Sequence, residues 1–130
     1  MEENVILCVC NMLAPITMLI LGLVIWKTMP GYGDMFGYRT TYSLKNPELW
    51  NIAQYCFGKS CTITFAVMSF LSLFAGLVPI FFEVDKEIPG FISAFVTLIQ
   101  VVALFVIIFI TEHKLKVIDK QNAQNKEKNQ

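Results

Sequence analysis

The stretch IPGFISAFVTLIQVVALFVIIFIT, residues 88–111, decides the fold, because it runs through 24 positions without one Asp, Glu, Lys or Arg. At about 1.5 Å of rise per residue, roughly twenty helical residues cross a hydrocarbon core about 30 Å thick. Buried helices of soluble proteins are rarely so long and so free of charge. Two further stretches repeat the pattern, Asn4 to Trp26 and Ser60 to Phe82. The composition agrees: 55% of the 130 residues are hydrophobic and 15% charged, against about 25% charged in an ordinary soluble domain. The reading is an all-α membrane protein with three transmembrane helices, at about 5–26, 60–82 and 91–111. A long first loop (27–59) and a tight second one join them.

The first span differs from a secretion signal. Its start is acidic (Glu2, Glu3), its apolar run is long, and it ends in bulky Trp26 and Lys27 rather than a small-residue cleavage site. It is therefore expected to be retained. Orientation follows from the basic residues. Lys27, Arg39, Lys45 and Lys59 lie in the first loop, and Lys114, Lys116, Lys120, Lys126 and Lys128 in the C-terminal segment. The second loop has Lys86 alone, among Glu83, Asp85 and Glu87. The positive-inside rule then puts the first loop and the C-terminus in the cytoplasm and the N-terminus outside.

Between the spans, Asn46-Pro47-Glu48 is a helix start, with Asn as N-cap, Pro at the first position and an acid in the first turn. Leu49, Trp50, Ile52, Ala53, Cys56 and Phe57 follow with helical spacing. The expectation is a short helix over 47–57 lying in the membrane interface, with a bend at Gly58-Lys59. One continuous helix from Pro47 to Phe82 is the alternative. In the second span, Ser69, Ser72 and Gly76 allow close helix approach, and Ser72 with Gly76 is a candidate contact between copies. Pro89-Gly90 reverses the chain. The third helix is expected to start near Phe91 and run to about Asp119, and the polar stretch 120–130 to be disordered.

The span centres carry no ionisable residue, the usual mark of an ion or proton pathway. Asn11, Thr17, Ser69, Ser72, Thr97 and Gln100 are the polar choices there, and interhelical hydrogen bonding is their expected role. The cysteines Cys8, Cys10, Cys56 and Cys61 form no CxxC pair, and the lone His113 is distant in sequence. They read as small apolar side chains, and neither metal nor cofactor is expected.

Polar chemistry gathers in the first loop. Arg39 offers a planar fork of donors suited to phosphate, carboxylate or backbone carbonyls, and Thr40, Ser43 and Asn46 could complete a cage at the N-terminus of the Pro47 helix. Alternatively Arg39 and Lys45 anchor the loop to anionic lipid or cap helix ends. The same residues carry a resemblance. Gly37-Tyr38-Arg39-Thr40, then Ser43, Lys45-Asn46, Trp50, Ala53 and Gly58 match the motif G-[YF]-R-T-x-x-S-x-K-N-x-x-x-W-x-x-A-[NH]-x-x-x-G at ten positions. That motif is similar to the signature of the SdpI-like family of bacterial membrane proteins. One span before it and two after it resemble the family's C-terminal module. Gln54 stands where the family usually has Asn, and Pro47 where an acid is common; Gln keeps the amide, so the fold is expected unchanged.

The resemblance implies immunity to a secreted, membrane-dissipating peptide toxin in the bacterial inner membrane. It also implies signalling by holding a cytoplasmic repressor at that membrane. The candidate binding or motif residues are Gly37, Tyr38, Arg39, Thr40, Ser43, Lys45, Asn46, Trp50, Gln54 and Gly58. Membrane lipid is an expected partner, a peptide toxin and a repressor are further ones, and direct contact with nucleic acid is not expected. The competing reading is a small transporter or lipid-headgroup binder. Three helices enclose almost no pathway, so transport would need a homo-oligomer. No nucleophile–base pair or metal set suggests an enzyme.

Overall fold

The computed structural model describes residues 2–130. It contains three helices: α1 (Glu2–Thr28), α2 (Pro47–Phe81) and α3 (Ile88–Lys128). Each is long and apolar enough to cross a membrane. Lipid imposes this form, since a spanning backbone must satisfy its own hydrogen bonds. The short interfacial helix does not appear. Asn46 caps α2, its side-chain oxygen accepting from the Leu49 N–H, and the helix then continues through Gly58 for 35 residues. The apolar residues of its first turns face the other helices and the first loop rather than a membrane surface. Leu49, Trp50 and Ala53 are fully buried.

Glycines set the α1–α2 distance. A Cβ on Gly22 would stand 2.7 Å from Cys61 Cβ, one on Gly58 2.8 Å from the Trp26 backbone nitrogen, and one on Gly76 2.9 Å from Cys8 Cβ. Gly58 therefore serves as a helix-contact residue, which is why it does not bend the chain. The Gly58–Gly76 interval covers about 27 Å of helix, so the two helices run close together through most of the bilayer depth. Small residues make such approach possible where no water drives association. Gly76 and Ser72 are both buried within this one chain, so its own helices already use the contact expected between copies.

α3 joins through polar pairs and a few apolar side chains. Gln100 Nε2 donates to Ser72 Oγ at 2.9 Å, and Ser93 Oγ donates to Asn11 Oδ1 at 2.8 Å. Ile107, Thr111 and Leu115 are buried beyond them. Of the polar span residues, Asn11, Ser72 and Gln100 bond between helices, whereas Thr17, Ser69 and Thr97 bond the carbonyl four residues back. Asn4 Nδ2 donates to the Pro79 carbonyl, one of the last four of α2, which have no partner within the helix. The opposite face of α3 bears Phe91, Phe95, Leu98, Val102, Phe105 and Phe109, all more than half exposed. They recur every three to four residues, and lipid covers such a stripe.

Two boundaries differ from the sequence reading. Pro89 lies inside the first turn of α3 rather than ahead of it, because a first-turn proline lacks only an N–H that has no helical partner. The stretch from Lys120, expected to be disordered, is helical to Lys128. Extending an existing helix skips the nucleation cost, and Lys, Gln, Ala and Glu are good helix formers.

Candidate functional site

The motif residues form the connection between α1 and α2. The chain leaves α1 at Met29 with a positive φ of 47°, and Pro30 follows, buried. The Pro30 carbonyl accepts from the indole N–H of Trp50 at 2.7 Å. Trp50 has no exposed surface, so this bond gives its N–H a partner that burial would otherwise deny. Tyr32 meets the Trp50 ring edge-on at 6.1 Å, and its hydroxyl donates to the Leu44 carbonyl. Phe36 turns back toward α1, where it lines a shallow apolar groove with Thr17, Ile20, Leu21 and Val24.

Gln54 is the centre of the arrangement. Its side-chain oxygen accepts from the Tyr38 N–H and its amide nitrogen donates to the Tyr38 carbonyl, each at 2.7 Å. A fully buried side-chain amide thus acts as one rung of a backbone ladder and pins the loop to α2. Gly37 is required beside it. Its φ is +123°, and a Cβ there would stand 2.6 Å from the Gln54 oxygen. The Tyr38 ring stacks on Phe57 with centroids 4.6 Å apart, and its hydroxyl donates to Glu112 Oε1 at 2.7 Å. Burial, with the hydrogen bond and charge of Glu112, holds the Tyr38 phenol well above the ordinary tyrosine range.

The remaining motif residues have separate partners. Thr40 N–H donates to Ser43 Oγ at 2.7 Å, Ser43 N–H to Thr40 Oγ1 at 3.3 Å, and Ser43 Oγ to the Thr40 carbonyl at 3.0 Å. This closed turn delivers the chain to the Asn46 cap. Lys45 pairs with Asp119 on α3, and that hydrogen bond raises the Lys45 pKa. Asn122 donates to Glu48 one turn further along. Arg39 is exposed, with Nη1 donating to the Asp34 carbonyl at 2.8 Å. The oxygens of Thr40, Ser43 and Asn46 are thus engaged in local backbone bonds, while Arg39 keeps most of its donors toward solvent. Gly58 stands apart from the loop, at the α1 contact.

Sequence reading does not find the α3 side of this site. Glu112, Leu115, Asp119 and Asn122 lie at i, i+3, i+7 and i+10, a spacing that puts one face of α3 against the loop and the start of α2. The periodicity was the available signal. The partners Tyr38, Lys45 and Glu48 lie 74 residues away in sequence, and no local pattern connects them. Among the described residues, no three His, Cys, Asp or Glu side chains gather as a metal site.

The chemistry of the arrangement is positional. Among the described residues every buried side-chain polar atom has a hydrogen-bond partner, and Arg39 is held on this scaffold facing outward. Comparison with known proteins gives the context. The SdpI/YfhL protein family matches residues 33–111, which take in the loop from Gly33, all of α2 and α3 as far as Thr111. No curated protein and no solved structure matches the chain. With more than half its length matched, the chain belongs to the SdpI/YfhL protein family.

Proposed function

We propose that this protein is a non-enzymatic immunity and signalling protein of the bacterial cytoplasmic membrane. In this reading the N-terminus is outside, and the motif loop and the end of α3 are in the cytoplasm. The helices meet a secreted hydrophobic peptide toxin, and the loop presents a basic, partly apolar surface to a cytoplasmic regulator. One observation carries the proposal. Within a family-matched loop whose other polar motif side chains are engaged with the loop or α3, Arg39 faces outward with its guanidinium on the carbonyl of Asp34, the residue before Met35, which is 94% exposed. A guanidinium with free donors next to an apolar side chain suits protein recognition.

The test is survival of toxin-exposed cells expressing wild type, Arg39→Ala or Trp50→Ala, with membrane levels measured alongside. Wild type is expected to protect. Arg39→Ala should reach wild-type level and lose the regulator response, whereas Trp50→Ala should fail by loss of protein. Absence of protection from wild type sinks the immunity reading. An unaltered regulator response in Arg39→Ala sinks the assignment of that surface.

A further inference from the structure

A second groove is lined by no residue of the loop. Between α2 and α3, Ser60, Ile63, Thr64, Ala103, Val106, Ile107 and Ile110 line an apolar cleft of about 390 Å³. Small residues create it: Ser60 and Ala103 leave space that larger side chains would fill. These positions belong to the apolar stretches of both helices, so the cleft lies at hydrocarbon depth, near the bilayer surface on the loop side. Water is not a stable filling there, whereas an acyl chain is.

The mouth of the cleft is basic. Lys59 stands four residues before Ile63, and His113 and Lys114 stand three and four residues beyond Ile110. Helical register therefore places all three within the next turn toward the membrane surface, and all three are exposed. Lys114 continues the Ile107–Ile110 line directly above the cleft, whereas Lys59 holds its ammonium over the Tyr55 ring at 5.6 Å, at the edge of the mouth toward Trp26 of α1. The acids of this region turn the other way: Glu112 accepts from Tyr38, and Asp119 pairs with Lys45, both on the loop side of α3. An apolar slot beneath a rim of two lysines and a histidine is complementary to one class of molecule.

We infer that this cleft is a binding site for an anionic glycerophospholipid of the loop-side leaflet, one acyl chain lying between α2 and α3 and the phosphate meeting Lys59, His113 and Lys114. The site is independent of the immunity reading, since none of its residues belongs to the family motif. Lipid phosphates attract basic groups at such depths, and the attraction weakens with salt.

The experiment uses the full chain in phosphatidylcholine vesicles doped with spin-labelled phosphatidylglycerol or spin-labelled phosphatidylcholine, reading the motionally restricted fraction of each. Wild type is expected to prefer phosphatidylglycerol by about threefold or more at low salt. Lys59→Gln/His113→Gln/Lys114→Gln should bring the two lipids to parity, and Ala103→Trp, which fills the cleft, should do the same. Phe105→Trp, on the exposed face of α3, should retain the preference. Equal restriction of both lipids by wild type overturns the proposal, as does a preference that survives the charge variant. If Ala103→Trp instead separates a dimer into monomers with the lipid preference intact, a second copy occupies the cleft and the lipid assignment is wrong. Should Ala103→Trp fail to insert, the charge variant alone decides.

Discussion

Gln54 shows what one side chain does here. Its amide satisfies both polar groups of the Tyr38 backbone in a fully buried setting. Gln54→Leu keeps the bulk and strands an N–H and a carbonyl, and each such group costs about 1–3 kcal/mol. The expected loss is at least about 2 kcal/mol, measured as a lower unfolding midpoint in detergent; an unchanged midpoint would mean that water replaces the amide. Gly58 makes the opposite kind of demand. Gly58→Val would press into the Trp26 backbone at a point where the added Cβ is already 2.8 Å from nitrogen. Overpacking of that order costs about 1–3 kcal/mol, and truncating the Trp26 side chain to alanine should not recover it, because the nearest atoms are Trp26 N and Cβ and the Gly22 carbonyl. Tyr38 gives a pH signature. Its folded pKa lies above the unfolded value of about 10, so its contribution to stability is complete below that pH and falls as pH rises beyond it. Ultraviolet titration should find one phenol ionising above the ordinary tyrosine range, and Glu112→Gln should move that late step downward while burial keeps it above that range.

At the scale of the element, α2 is the part that sequence patterns describe least completely. The Asn-Pro-Glu start is explicit, and the structure uses it as a cap. Gly58-Lys59 looks like a bend when read locally, because glycine weakens a helix by about 1 kcal/mol. Packing reverses that preference: α1 comes so close at Gly58 that only hydrogen fits, and the unbroken backbone keeps its bonds at the membrane surface. Hydrogen exchange in micelles checks the continuity. The amides from Gly58 to Thr62 should exchange as slowly as those in mid-span, and fast exchange confined to these five would restore the two-helix reading. The end of α3 follows the same logic, since a segment too polar to fold alone is helical when it continues a membrane helix.

For the whole molecule, the loop and the end of α3 behave as one unit tied at Tyr38–Glu112, Lys45–Asp119 and Glu48–Asn122. The Lys45 pair is exposed and screened by salt, so it sets position more than stability. Lys45→Glu alone should loosen the end of α3, seen as faster exchange beyond Asp119, and adding Asp119→Lys should restore it at low salt. Failure of the double variant to restore would assign the helical end to propensity alone. The outer surface is the other global property. It exposes 8794 Å², against about 7000 Å² for a compact soluble chain of 14.8 kDa. Extended helices and outward phenylalanines account for the excess, and the bilayer is what makes such a surface stable.

The sequence by itself determined that there are three spanning helices, roughly where they lie, and where the loop motif begins and ends. Length and absence of charge are properties of a single segment, and the bilayer judges segments one at a time. The cap at Asn46 belongs to the same local class. Only the tertiary structure decided that α2 is unbroken, that Ser72 and Gly76 pack within one chain, and that Glu112, Asp119 and Asn122 hold the loop. Each of those depends on which helix comes close to which, and at what distance. That distance is set by the missing Cβ atoms of Gly22, Gly58 and Gly76 acting together, a property of three dispersed positions that no single stretch of sequence displays.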